Sequence, residues 1–329
     1  MFSRTTRMLD QYKLKASWAA FYSDEDKSGI RSIPLLSANK RSFYAAISYP
    51  DNAESIMIEV CKDTKIPSSI DSLGFSITCQ LLPNKKYVII VSKSRDASLD
   101  IFYTMCIDLI DCVSQSQHSS AIISRLFAWK NFMKTPTNHL SQSSERGLFG
   151  ELIVLNKLID LCESHSKLLD SWLGPIRGLH DFEFPKGSIE VKSTVKSSNC
   201  AQITSLDQLD VTPESSLYLA LVKLKKCSHS GLTLDDLVKS TAARLDPSLK
   251  PDFYSKLIFC GYLPSHQVSR PYKVQYRSNE CYYYHVDQAF PCLRASNVPH
   301  QVKNISYQLD LTRQPEVTSA VIEELVEGL

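Results

Sequence analysis

Between Leu179 and Thr194 the chain reads Leu-His-Asp-Phe-Glu-Phe-Pro-Lys-Gly-Ser-Ile-Glu-Val-Lys-Ser-Thr. Three of these residues have side chains fit for hydrolytic chemistry: Asp181, Glu190 and Lys192. Glu190 and Lys192 are two apart, so on a strand they share one face while Ile189 and Val191 take the other. Phe182 and Phe184 alternate with Asp181 and Glu183 in the same way, the period-2 pattern of half-buried strands. Pro185, Lys186 and Gly187 interrupt it and predict a tight antiparallel turn, with glycine supplying a positive φ.

Pairing Phe184 with Ser188 sets Asp181 opposite Val191, flanked diagonally by Glu190 and Lys192; a slip of one residue sets it opposite either charged neighbour. Two carboxylates then converge beside one ammonium. Such carboxylates repel unless a cation stands between them, and oxygen donors with room for water and phosphate suit Mg²⁺ or Mn²⁺. A lysine alongside can orient or deprotonate a water nucleophile, or hold the charge of a phosphorane-like transition state. The chemistry indicated is phosphodiester hydrolysis. Acid-x-Lys triplets also begin at Glu25 and Asp63, but only the one at Glu190 lies in an apolar alternating run with a second acid across a turn. The same residues also suit an ordinary surface hairpin bearing a Glu–Lys pair.

The elements around this hairpin must position it. Upstream, Glu145 to Cys162 predicts a helix whose core stripe is Leu148, Leu152, Leu155, Leu158, Ile159 and Cys162, with Glu151 beside the stripe. Gly147 and Gly150 lower helix propensity by roughly 1 kcal/mol each, which points to a close approach by a neighbour. Glu151 is then either a solvated rim residue or a further acid facing the hairpin. Downstream, Ala201 to Thr204 reads as a third strand, Ser205 caps a short turn over Leu206 to Leu209, and Ser216 to Leu224 is apolar enough for a central strand.

The first hundred residues predict mainly strands, at Ser42 to Ser48, Glu54 to Val60, Gly74 to Leu82 and Tyr87 to Ser92, after a short helix over Met8 to Phe21. Helices follow at Leu99 to Ser116 and Ala121 to Met133. Toward the other end, Leu232 to Arg244 and Pro251 to Cys260 read as helices, and Lys273 to Val286 as a hairpin turning at Ser278 and Asn279. Tyr307 to Leu311 adds a strand and Val317 to Val326 a terminal helix. Arg270, Lys273 and Arg277, interleaved with tyrosines, form the best basic-aromatic patch for nucleic acid, the alternative being an ordinary strand edge. These elements set a β-rich domain over residues 1–118 and an α/β domain over 119–329.

Composition narrows the class. At 329 residues the chain has room for two domains with separate cores. A hydrophobic content of 43% and a charged content of 22% are those of a soluble globular protein. The net charge is +2, and dividing the chain at residue 118 leaves 14 basic against 13 acidic residues before it and 23 against 22 after, so charge does not say which part meets a polyanion. Ten cysteines without a Cys-x-x-Cys pair, several in apolar runs as at Cys61, Cys106 and Cys260, read as reduced core thiols. With no secretory pattern and no apolar run long enough for a membrane span, the expected location is the cytoplasm, without membrane attachment.

The order helix, three strands, helix, strand, with Glu in the first helix, Asp in the first strand and Glu-x-Lys in the second, resembles the core of the PD-(D/E)XK nuclease superfamily, the restriction-endonuclease-like fold. More narrowly, Gly147-Leu-Phe-Gly-Glu-Leu, Trp172-Leu-Gly-Pro, His180-Asp-Phe, Ile189-Glu-Val-Lys, Ile203-Thr-Ser-Leu-Asp-Gln-Leu and Phe290-Pro resemble a bacterial family counted among that superfamily, along nearly the whole chain. The resemblance implies an α/β (α+β) fold with a mixed sheet and a Mg²⁺- or Mn²⁺-dependent DNA endonuclease. Asp181 and Glu190 are its metal ligands, Lys192 the catalytic lysine, Glu151 the helix acid and Gln202 a residue that positions water or phosphate. It also implies a restriction-modification or anti-phage defence setting, with a homodimer or a complex with an ATPase, a helicase or a methyltransferase. His180 replaces the proline of the superfamily's name and either orients Asp181 by a hydrogen bond or is a satisfied core or exposed histidine. A DNA-binding or scaffolding subunit that cuts little by itself, and an enzyme that cuts RNA, are the alternatives.

Overall fold

The computed structural model describes residues 13–23, 28–38, 41–62, 64, 70–115, 119–134, 140–195, 197–211, 216–264 and 272–329. The chain falls into two compact units, Met1–Asn138 and His139–Leu329.

In the first unit a helix over 13–21 (α1) precedes six strands: β1 (Ile30–Ala38), β2 (Arg41–Ser48), β3 (Ala53–Val60), β4 (Ile70–Asp71), β5 (Phe75–Leu81) and β6 (Tyr87–Lys93). They form one antiparallel sheet in the order β1-β2-β3-β6-β5-β4. Two helices follow, α2 (Leu99–Gln115) and α3 (Ser119–Met133). Trp18 of α1 stacks on Phe102 of α2 and its indole N–H donates to the Ser55 carbonyl of β3, which ties helix to sheet. Asp108 of α2 accepts from Arg125 and from the Trp129 indole of α3 at 2.6 and 2.8 Å. Strand β1 is not legible in the sequence because Pro34 interrupts it; its ladder to β2 shifts register between Pro34 and Leu36, at a sheet edge where proline is tolerated.

The second unit is built on α4 (Gln142–Leu161), α5 (His165–Ser171), β7 (Phe182–Phe184), β8 (Gly187–Thr194), β9 (Cys200–Ile203), β10 (Ser216–Cys227), α6 (Leu234–Arg244), α7 (Lys250–Phe259), β11 (Gln275–Val286), β12 (Tyr307–Asp310) and α8 (Ser319–Val326). Its main sheet is mixed, ordered β11-β10-β8-β7, with β8 and β10 parallel and both outer pairings antiparallel. The fold is α/β of the α+β kind. Every residue of the α4 stripe is buried. Those side chains meet Ile189 and Val191 of β8 and Tyr218, Ala220 and Val222 of β10 in one core. On the other face Leu217, Leu219 and Leu221 meet Ala201, Ile203 and Leu309 of a two-stranded ribbon, β9 with β12. The third strand of the expected core therefore pairs with β12 and not with β8.

Two further expectations are corrected. Lys273 to Val286 is not a hairpin: β11 runs unbroken beside β10, and the register moves from Lys223 opposite Glu280 to Leu224 opposite Ser278, leaving residue 279 as a bulge. The extra residue flips the alternation, so Tyr276 before it and Tyr283 after it both reach the α4 core. Of the cysteines, all ten free, Cys106 is buried in the core but Cys61 and Cys79 are exposed.

Gly150 is glycine for a steric reason. A Cβ there would lie 1.8 Å from Ser193 Oγ and 3.2 Å from Ser193 Cβ, so α4 sits directly on β8. Gly147 has nothing within 4 Å of the same point, and no close approach explains it.

Candidate active site

The hairpin turn is two residues, Pro185 and Lys186, with Phe184 opposite Gly187, Glu183 opposite Ser188 and Phe182 opposite Ile189. This is one residue off the pairing of Phe184 with Ser188. Gly187 is fixed by crowding from β10: a Cβ would stand 2.3 Å from the Ser216 carbonyl. Continued one step past β7, the register brings Asp181 opposite Glu190. Val191 N donates to Asp181 Oδ2 at 2.7 Å, and the Asp181 amide donates back to the Glu190 carboxylate. The Asp181 carbonyl in turn accepts from Leu173 N and Gly174 N at 2.8 and 3.0 Å, so the residue is pinned from both sides.

Glu190 and Lys192 lie beside Leu219 and Leu221 in the parallel register, on the face away from α4. Lys192 Nζ donates to Glu190 Oε1 at 2.5 Å, with the two side chains 15% and 4% exposed. Glu151 reaches the group from α4, and the Trp172 indole N–H donates to its Oε2 at 2.9 Å. Gly174 is the point where Glu151 and Asp181 meet. A Cβ there would stand 2.5 Å from Glu151 Oε2 and 2.6 Å from Asp181 Oδ1, so the two oxygens line one cradle that any side chain would fill.

Three carboxylates and one ammonium therefore act on one another. Burial and the neighbouring acids push Glu151 well above the usual carboxylate range; burial also raises Asp181; burial and the Asp181 charge push Glu190 up to about 8. One lysine does not compensate three buried acids, and the donor set fits a hard divalent cation. Among the described residues no group of three or more His, Cys, Asp or Glu side chains is arranged to hold a metal ion. Mg²⁺ commonly takes only one or two protein carboxylates and keeps several waters.

The remaining expected residues are placed as follows. Gln202 is exposed on β9 between buried Ala201 and Ile203, and its amide is taken up by Ser306 Oγ and the Tyr307 carbonyl. His180 is buried, its Nε2 is without a hydrogen-bond partner among the described residues, and Asp181 is oriented by backbone amides instead. Arg277 lies opposite Lys225, with its Nε donating to the Ser230 carbonyl, and Lys273 is exposed. Arg270 lies outside the described residues. Trp172 and Gly174 were not legible as site residues, although both stand in the Trp-Leu-Gly-Pro motif. Lys256 of α7 supports that segment by donating to the Trp172 carbonyl at 2.6 Å.

Gly174→Ala is expected to lower activity by about 10²-fold while the protein stays folded. Both carboxylates it would displace are tethered, Glu151 through Oε2 and Asp181 through Oδ2, and misplacing a catalytic group by about 1 Å has effects of that size. Single-turnover rates on a labelled duplex, with a melting curve alongside, check this.

A helix acid, an Asp at the end of one strand and a Glu-x-Lys on the next, set on a mixed sheet, define a protein of the PD-(D/E)XK nuclease-like class. The chain belongs to the family described as "Putative PD-(D/E)XK family member (DUF4420)", whose model matches residues 14–312. Neither the curated proteins nor the solved structures searched contain a match. The family points to a nuclease. No helix among the described residues is long and apolar enough to cross a membrane.

Proposed function

We propose that the protein is a Mg²⁺- or Mn²⁺-dependent DNA endonuclease acting in the cytoplasm within a restriction-modification or anti-phage defence system. The single observation that supports this most is the mutual interaction of Glu151, Asp181, Glu190 and Lys192, the first two meeting at Gly174, with too little positive charge for the acids. Asp181 and Glu190 would hold the ion, with Glu151 as a further ligand. When bound, the ion supplies charge stabilisation at the phosphate and lowers the pKa of water. Lys192, hydrogen-bonded to Glu190, donates to the charge that develops during cleavage. Trp172 and the Val191 amide hold Glu151 and Asp181 so that no carboxylate must reorganise when substrate arrives. Lys273, Arg277 and Arg270 serve as phosphate contacts. Cutting both strands of a duplex takes two such sites, supplied by a homodimer or by a larger complex with ATPase, helicase or methyltransferase subunits. The defence role rests on the family resemblance.

The test is supercoiled plasmid with Mg²⁺, Mn²⁺ or EDTA, and a matched RNA. Nicking or linearisation that needs the divalent ion and is lost in Asp181→Asn is expected. A wild-type protein that binds plasmid yet leaves it intact with either ion would establish the scaffolding role instead, and cleavage confined to RNA would move the substrate.

A further inference from the structure

The segment just before Asp181 holds features that hydrolysis does not use. Residues Leu173 to Gly178 form a closed turn: Ile176 N and Gly178 N donate to the Leu173 carbonyl, both at 3.0 Å, and Arg177 N donates to the Gly174 carbonyl at 3.1 Å. Gly178 is crowded in it, since a Cβ there would meet Leu173 Cβ at 2.5 Å and the His180 carbonyl at 3.1 Å. Arg177 sits in the left-handed region at φ 63°, a conformation that favours glycine. The backbone is thus tightly specified. Its side chains are not covered: Ile176 is 40% exposed, Leu179 is 59% exposed, and Arg177 between them is exposed with no ion-pair partner among the described residues.

The position matters as much as the exposure. Gly174, at the base of the turn, touches the Asp181 and Glu151 carboxylates. Arg177 is three residues further on, so its Cα is within about 10 Å of that point. A phosphodiester held at Asp181 has its flanking phosphates within reach of the guanidinium.

The residue types select the form of nucleic acid. Single strands are gripped by aromatic side chains that stack on splayed bases, and this turn has none. Aliphatic residues beside an arginine are the means by which proteins enter the minor groove of a duplex, seating apolar groups against sugars and base steps and bending the helix. Resting on the nuclease reading above, we propose that the 174–179 turn is a duplex-DNA contact: Arg177 binds a phosphate beside the one to be cut, and Ile176 and Leu179 seat in the minor groove and bend it.

The experiment measures binding of a fluorescent duplex, and of one of its strands alone, across a KCl series in EDTA, with plasmid cleavage in Mg²⁺ run in parallel. Arg177→Gly keeps the left-handed turn without strain, so its effect reports the side chain; Arg177→Lys keeps the charge. Arg177→Gly is expected to weaken duplex binding about 10-fold at low salt and to lower the slope of log K against log salt by about 1, with Arg177→Lys restoring the slope. Leu179→Ser is expected to weaken duplex binding with the slope unchanged and to reduce the bend read by energy transfer between end labels. Single-strand binding stays within about 2-fold of wild type in Leu179→Ser, and Arg177→Gly loses less on the single strand than on the duplex, where each phosphate contact releases more counterion. An unchanged duplex slope in Arg177→Gly, or an equal loss on single strand and duplex, overturns the inference; if wild type still cuts plasmid, the nuclease reading stands without it. A wild type that neither binds nor cuts DNA removes both.

Discussion

Lys192→Ala is expected to slow plasmid cleavage by about 10³-fold while duplex binding in EDTA changes by less than about 3-fold. The effect is larger than one lost hydrogen bond because of where the ammonium stands. It donates to Glu190 Oε1, and its charge acts on Glu151 and Asp181 as well. Glu190 is 3% exposed and burial already pushes it up to about 8 with Lys192 beside it, so without the ammonium it holds its proton to a higher pH still. The variant loses the donor to the developing charge and, at neutral pH, part of the charge that a divalent ion needs. Lys192→Arg does not restore more than about a tenth of the rate, because a guanidinium is larger and presents its donors in a fixed planar fork where the ammonium is a compact point charge. Single-turnover cleavage of a labelled duplex measures this. A Lys192→Ala protein cutting within about 10-fold of wild type would remove lysine from the chemistry.

The second large effect concerns stability without metal. Glu190 has its folded pKa raised from 4.5 to about 8 by burial and the Asp181 charge, and Glu151 and Asp181 are raised too. A group raised on folding binds its proton more tightly in the folded state. Its stabilising contribution is complete below about 4.5 and is lost as pH rises through about 8. In EDTA the second unit is therefore expected to become less stable between these pH values, by a few kcal/mol, since each pKa unit corresponds to about 1.4 kcal/mol. For a unit of this size that is a fall of roughly 5–10 °C in Tm. Mg²⁺ reverses the trend at pH 8, where the acids are free to bind it, and does little at pH 5. Glu190→Gln removes a buried charge without changing shape, so at pH 8 in EDTA it melts higher than wild type but gains less from Mg²⁺. Melting curves at both pH values, with EDTA or Mg²⁺, read all of this. A Glu190→Gln protein less stable than wild type at pH 8 in EDTA would mean that the three acids do not repel one another as described.

Sequence and structure part company at identifiable places. The alternation of Phe182, Phe184, Ile189 and Val191 and the stripe from Leu148 to Cys162 are local periodicities, and the strands and the helix follow them. The hairpin register differs by one residue from the expected pairing because Gly187 belongs to β8 and not to the turn; there the Ser216 carbonyl of β10 leaves no room for a side chain. Of two glycines read alike in α4, Gly150 is required by Ser193 and Gly147 by nothing nearby. Gln202 stands on the expected third strand, whose parity turns Ala201 and Ile203 inward and Gln202 outward.

The chain alone determined most of the elements, the mixed α/β class and the kind of chemistry, because side-chain spacing within one helix or hairpin is enough to say which groups share a face. Only the tertiary structure decided that Glu151, thirty residues before Asp181, reaches the same cradle at Gly174, that Trp172 holds it there, and that β9 leaves the main sheet for β12. It also decided that β11 continues past Asn279 as one strand. Each of these depends on which distant segments pair and how closely backbones approach, and short-range periodicity carries no record of either.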